Sequence, residues 1–171
     1  MGALREFWID HAVKTRSKYL IFCAIPLNML LWGCKSWAIR ESLFKKIEVF
    51  FHRRIRNILG ISIIRIKYEH ITNETVRLFF CGIPSLQSQI AKRQLRFIEN
   101  VVRYHDSQIP TQLLTAWCDH PRKRGGVLQT NKKNITKNLQ LIIPSAEKDG
   151  RLSSWAYYAL DKSYWDYLRR Y

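Results

Sequence analysis

From residue 42 to residue 59 apolar side chains return every three or four positions, a spacing that fits a helix and little else. At 100° per residue Leu43, Phe44, Ile47, Phe50, Phe51, Ile55 and Ile58 share one side, while Lys45, Lys46, His52, Arg53 and Arg56 gather on the other. Ser42 or Arg40-Glu41 can start this helix, and Gly60 can stop it, because glycine takes the left-handed conformation of a helix end without a Cβ clash. Arg54 falls inside the apolar side, where it must snorkel to water, pair with a carboxylate or meet a ligand.

Residues 85–104 repeat the theme. Leu86, Ile90, Leu95, Phe97, Ile98, Val101 and Val102 form an apolar half opposite Lys92, Arg93, Arg96 and Arg103, with Glu99 among the cations. Residues 3–18 carry Leu4, Phe7, Trp8, His11 and Ala12 at helical spacing, and 19–34 read as a buried apolar helix kinked or broken near Pro26. Thr72 offers an N-cap for a short helix to about residue 80, Gly82 ends it, and Pro84 begins the next element. A short helix after Pro110, one over 131–143 and an aromatic region at 155–171 complete the chain. The expected fold is therefore all-α, an array of about seven helices, with basic amphipathic helices on an apolar core. A short strand is confined to the Ile-rich stretch 61–68, where an extended connector is favoured.

At 171 residues the chain suits one domain, or one domain with an appendage. Lys plus Arg number 29 against 13 Asp plus Glu, a net charge of +16. Such a surplus opposes compaction unless a polyanion relieves it. The charge runs along the whole chain instead of flanking one apolar segment, which favours nucleic acid over a membrane. The one apolar run, Tyr19 to Cys34, is shorter than the roughly 18 to 20 residues a bilayer crossing needs. The four cysteines are widely spaced and the N-terminus is amphipathic, so an intracellular setting, nuclear or cytoplasmic and not secreted, is expected.

Catalytic patterns are lacking. No adjacent Asp-Asp pair stands ready for two-metal chemistry, and Asp161 and Asp166 in an aromatic segment read as a cap and a solvated face. Cys118 and His120 are one short-spaced pair where a zinc site needs two. No phosphate-binding glycine loop or hydrolase motif occurs, and no cofactor is implied. What remains is cationic surface. Two basic helix sides are joined by a third cluster, Arg122, Lys123 and Arg124, ahead of Gly125-Gly126. Phosphate contacts from such groups give affinity by counterion release and carry no sequence information. Most tryptophans sit at apolar-periodic positions and read as core; Trp117, beside the basic loop, is the best candidate for stacking on a base.

The stretch Leu30 to Trp37, LLWGCKSW, is followed by the basic helix ending in Ile58-Leu59-Gly60-Ile61, then by ITNETVR at 71–77, AKRQLRFI at 91–98 and PRKRGG at 121–126. In that order these pieces resemble the region after the catalytic palm of non-LTR (LINE-like) retrotransposon reverse transcriptases, from about residue 17 onward. Trp32 and Lys35 stand where that family commonly has Tyr and Glu. The family's polymerase aspartates lie in the palm, and neither they nor its C-terminal Cys/His knuckle have counterparts here. The resemblance thus implies a thumb-like, post-polymerase segment that grips template or target without catalysis of its own.

On this reading residues 1–118 are a helical core, 119–133 a basic loop and 134–171 a helical extension. The candidate contacts are Lys45, Lys46, Arg53, Arg56, Lys92, Arg93, Arg96, Arg103, Arg122, Lys123 and Arg124. The expected partners are RNA or DNA, with the missing polymerase portion or a second copy as further possibilities. The alternatives are a helical protein-interaction module or an inert retroelement remnant.

Overall fold

Among residues 4–37, 39–105, 108–109, 131–142, 162–163 and 166–167, which the computed structural model describes, every regular element is helical and no strand occurs. The all-α expectation is met. The chain divides into two units, one of residues 1–33 and 39–86 and the other of residues 34–38 and 87–171.

The first unit runs through α1 (Arg5–Ile9), α2 (Thr15–Ala24), α3 (Pro26–Leu30), α4 (Glu41–Leu59), α5 (Ile63–Tyr68) and α6 (Asn73–Phe79). Its core is an aromatic cluster. Phe22 of α2 meets Phe51 of α4 at 6.1 Å between ring centroids and Phe80 at 5.4 Å edge-on, and Tyr19 meets Phe80 at 5.8 Å. Edge-to-face pairs of this kind add stability beyond the area they bury. Ile55, Ile58, Val76 and Ile83 are buried in the same unit.

Caps define its helix ends. Gly60, at φ +69°, closes α4 in a Schellman arrangement: its N–H donates to Asn57 O and the Ile61 N–H to Arg56 O. Ser62 and Thr72 then cap α5 and α6, each hydroxyl accepting a backbone N–H at 3.2 Å, from Arg65 and Thr75.

Three sequence expectations are corrected in this unit. Residues 3–18 are not one helix, because Asp10 accepts the Ala12 N–H at 2.8 Å and turns the chain between α1 and α2. The apolar run 19–34 does break near Pro26, but it is not buried throughout: Met29 is 73% exposed and Trp32 84%. α3 is five residues long, so it turns one side inward and leaves the rest uncovered. Residues 63–68 are neither strand nor connector but α5, where the Ser62 cap and an Arg65–Glu69 ion pair one turn apart outweigh the β preference of isoleucine.

The second unit holds a 3-10 turn (Cys34–Ser36), most of α7 (Leu86–Val102) and α8 (Asn131–Ile142). Gln94 of α7 ties these together. Its amide nitrogen donates to the carbonyls of Cys34 and Trp37, both at 2.9 Å, and its carbonyl accepts from Asn138 at 2.7 Å. Ile90, Ala91, Leu95, Val101, Ile135 and Leu139 are buried around it. Residues 119–130 of the expected basic loop, the helix after Pro110, and the aromatic segment apart from 162–163 and 166–167 lie outside the described residues.

Candidate nucleic-acid interface

The burial of α4 decides which of its cations can meet a ligand. Phe51, His52, Ile55 and Ile58 point inward, whereas Leu43 and Phe50 are exposed. The buried stripe is thus rotated by roughly 60° from the purely apolar one, at 100° per residue. Lys45, Lys46 and Arg53 are left exposed, with Val49 and Phe50 between them. Arg56 is half-buried and donates from Nη1 to Asn73 Oδ1 at 3.2 Å. The helix carries five cations against two carboxylates, Glu41 and Glu48.

His52, expected on the basic side, is instead buried beneath it. Its Nδ1 lies 3.0 Å from Glu48 O, which can only accept, so Nδ1 carries the proton. Burial pushes its pKa below the ordinary imidazole value; the Glu48 carbonyl and carboxylate oppose that shift, and Arg77 and Arg56 reinforce it. The ring is therefore neutral at neutral pH and adds nothing to the cationic face. Arg54 takes none of its three expected routes completely. Its guanidinium lies 4.9 Å over the Phe50 ring, and its Nε is buried without a hydrogen-bond partner.

In the second unit Arg96 is exposed and Lys92 half-buried, both on one side of α7. Arg93 departs from that side and lies against the Cys34 thiol, whose pKa burial pushes up and Arg93 draws partly back. Glu99, expected among the surface cations, is buried and bonded to Arg103 one turn on. Of the four cations on α7 and just past its end, Arg93 and Arg103 are thus engaged within the protein. Arg122, Lys123 and Arg124 lie outside the described residues, as do Trp117, Cys118 and His120.

No family model, curated protein or solved structure matches the chain. Lys46 and Arg53 sit on one side of α4, seven residues and so about 10 Å apart along the axis. That distance spans about three phosphates of one strand at roughly 3.4 Å of rise each. No carboxylate among the described residues pairs with Lys45, Lys46 or Arg53, and the ion pairs seen there are Arg65–Glu69 and Arg103–Glu99. No three His, Cys, Asp or Glu side chains among the described residues are placed to hold a metal ion, and no described helix is long and apolar enough to cross a membrane. Cys23 is pushed up by burial, as Cys34 is, so neither thiol is a ready thiolate at neutral pH.

Sequence reasoning missed an open apolar cavity of about 240 Å³ beside this face, walled by α2, α3 and α4. Its signal was present in Arg54, the one charge on an otherwise apolar stripe.

Proposed function

We propose that this chain binds RNA or DNA through the phosphate backbone, as a non-catalytic segment similar to the region that follows the palm of non-LTR reverse transcriptases. The observation that carries the reading is the exposed row of Lys45, Lys46 and Arg53 on α4, paired with no carboxylate among the described residues, in a chain of net charge +16. Arg96 and Lys92 supply a second cationic side on α7, and Arg122, Lys123 and Arg124 a third cluster in the sequence. Their role is electrostatic: each phosphate contact releases condensed counterions, so affinity arises without base readout. The setting is intracellular, and no cofactor or metal takes part. Fluorescence anisotropy with a labelled single-stranded RNA and a DNA duplex tests this. Arg53→Ala with Arg56→Ala should weaken binding, while Arg65→Ala, whose side chain is held by Glu69, should not. Equal loss in both variants would remove α4 from the interface.

A second reading, a protein-interaction module, is favoured by one observation, the exposure of Met29 and Trp32 on the apolar segment after α2. Association seen by light scattering without nucleic acid, and persisting in high salt, is the result that reading predicts.

A further inference from the structure

We infer that the cavity between α2, α3 and α4 is a binding site for a small apolar carboxylate, with the tail among the aromatics and the head at Arg54. This site is separate from the phosphate-binding row and does not depend on it.

The walls set the class of ligand. Phe22 and Phe51 are fully buried and close the inner end, while Ile25, Met29 and Phe50 are exposed and form the mouth. Every wall near the inner end is hydrocarbon, so a nucleobase, with polar edges all round, would lose its hydration there without replacement bonds. An apolar chain loses nothing. The volume sets the size. A dry apolar cavity of about 150 Å³ accepts benzene, six heavy atoms. In proportion, about 240 Å³ takes about ten heavy atoms, the size of octanoate.

Arg54 sets the charge. Its guanidinium lines the cavity while lying over the Phe50 ring, and its Nε is removed from water with no acceptor. No carboxylate among the described residues pairs with this side chain. A carboxylate head can pair with the guanidinium charge and accept its N–H bonds together, which an alcohol or an amine cannot. Arg54 thus explains its own position on the apolar stripe, as the one polar group that orients an otherwise greasy ligand.

The test is calorimetric or NMR titration of the full chain with octanoate, butyrate and octylammonium. Octanoate should bind at one site and displace the backbone amide signals of α3 and the middle of α4. Butyrate, four methylenes shorter and unable to fill the inner end, should bind on the order of a hundredfold more weakly, and octylammonium should not compete. Arg54→Met keeps the volume and removes the donor and charge; it should weaken octanoate about tenfold or more. Met29→Asp, at an exposed position where folding is not at stake, places a like charge at the mouth and should also weaken octanoate. Octanoate binding that is no stronger than butyrate's, or that both variants leave unchanged, reports general attraction to a cationic surface and overturns the inference. Absence of octanoate binding in the folded wild-type chain overturns it equally.

Discussion

Phe50 and Phe51 are adjacent, identical and predicted by periodicity alone to share the apolar side of α4, yet the structure separates them. Phe51 is 0% exposed and packs against Phe22 and the His52 ring, while Phe50 is 41% exposed at the cavity mouth. Truncating Phe51 to Ala deletes a fully buried ring, for which about 3 to 5 kcal/mol is the usual cost. The first unit has about 80 residues, for which a stability of about 4 to 12 kcal/mol is ordinary. Phe51→Ala therefore removes a large share of it and can unfold a marginal unit. Phe50→Ala gives up partial burial and the Arg54 contact, but gains helix propensity, for a net of about 1 kcal/mol. Urea unfolding followed by far-UV circular dichroism gives both midpoints. Equal losses, or a greater loss from Phe50→Ala, would falsify the rotation of α4 and with it the exposure assigned to Lys46 and Arg53.

Other outcomes follow from the same geometry. Gly60→Ala meets no atom within 4 Å but forces a Cβ into φ +69°, so it should cost about 1 kcal/mol in the urea midpoint; no loss would mean α4 ends differently. Thr72→Ala removes the α6 cap and should cost about 1 kcal/mol, with Thr72→Ser restoring most of it. His52 has a depressed pKa when folded, so between the folded value and the unfolded value near 6.5 the unfolded chain binds more protons. Its contribution is complete above about pH 6.5 and is lost as pH falls through the folded pKa, a slope that His52→Gln should remove from a midpoint series. Gln94→Leu leaves the Cys34 and Trp37 carbonyls and the Asn138 amide without their shared partner and should destabilise by about 2 kcal/mol or more.

Helical identity was legible where period and punctuation agreed. The pattern over 42–59 with Gly60, and Thr72 with Gly82, mark elements that the structure places within a few residues of those bounds. The rotation of α4 was not legible, because a neutral histidine and the stem of a glutamate can be buried as well as a leucine. His52 and Glu48 draw the buried side toward themselves, and Phe50 and Leu43 turn out. α5 was missed because Ile63, Ile64 and Ile66 favour strands in isolation, while the Ser62 cap acts only once a helix has begun. Glu99 read as one charge among surface cations; its burial depends on Arg103 one turn away, a pairing that periodicity does not rank above solvation. Of the candidate contacts, Lys45, Lys46, Arg53 and Arg96 stand in the open as expected, whereas Arg93 and Arg103 are engaged by neighbours that a charge count ignores.

Affinity for a short single-stranded RNA and for duplex DNA, followed from about 50 to about 200 mM salt, bears most directly on the phosphate-binding account. Four to six phosphate contacts predict a log–log slope of roughly −3 to −5, and Lys45, Lys46 or Arg53 changed to Ala should each make it shallower by about 1. A flat line, or a slope that Lys45→Ala, Lys46→Ala and Arg53→Ala leave in place, would contradict it.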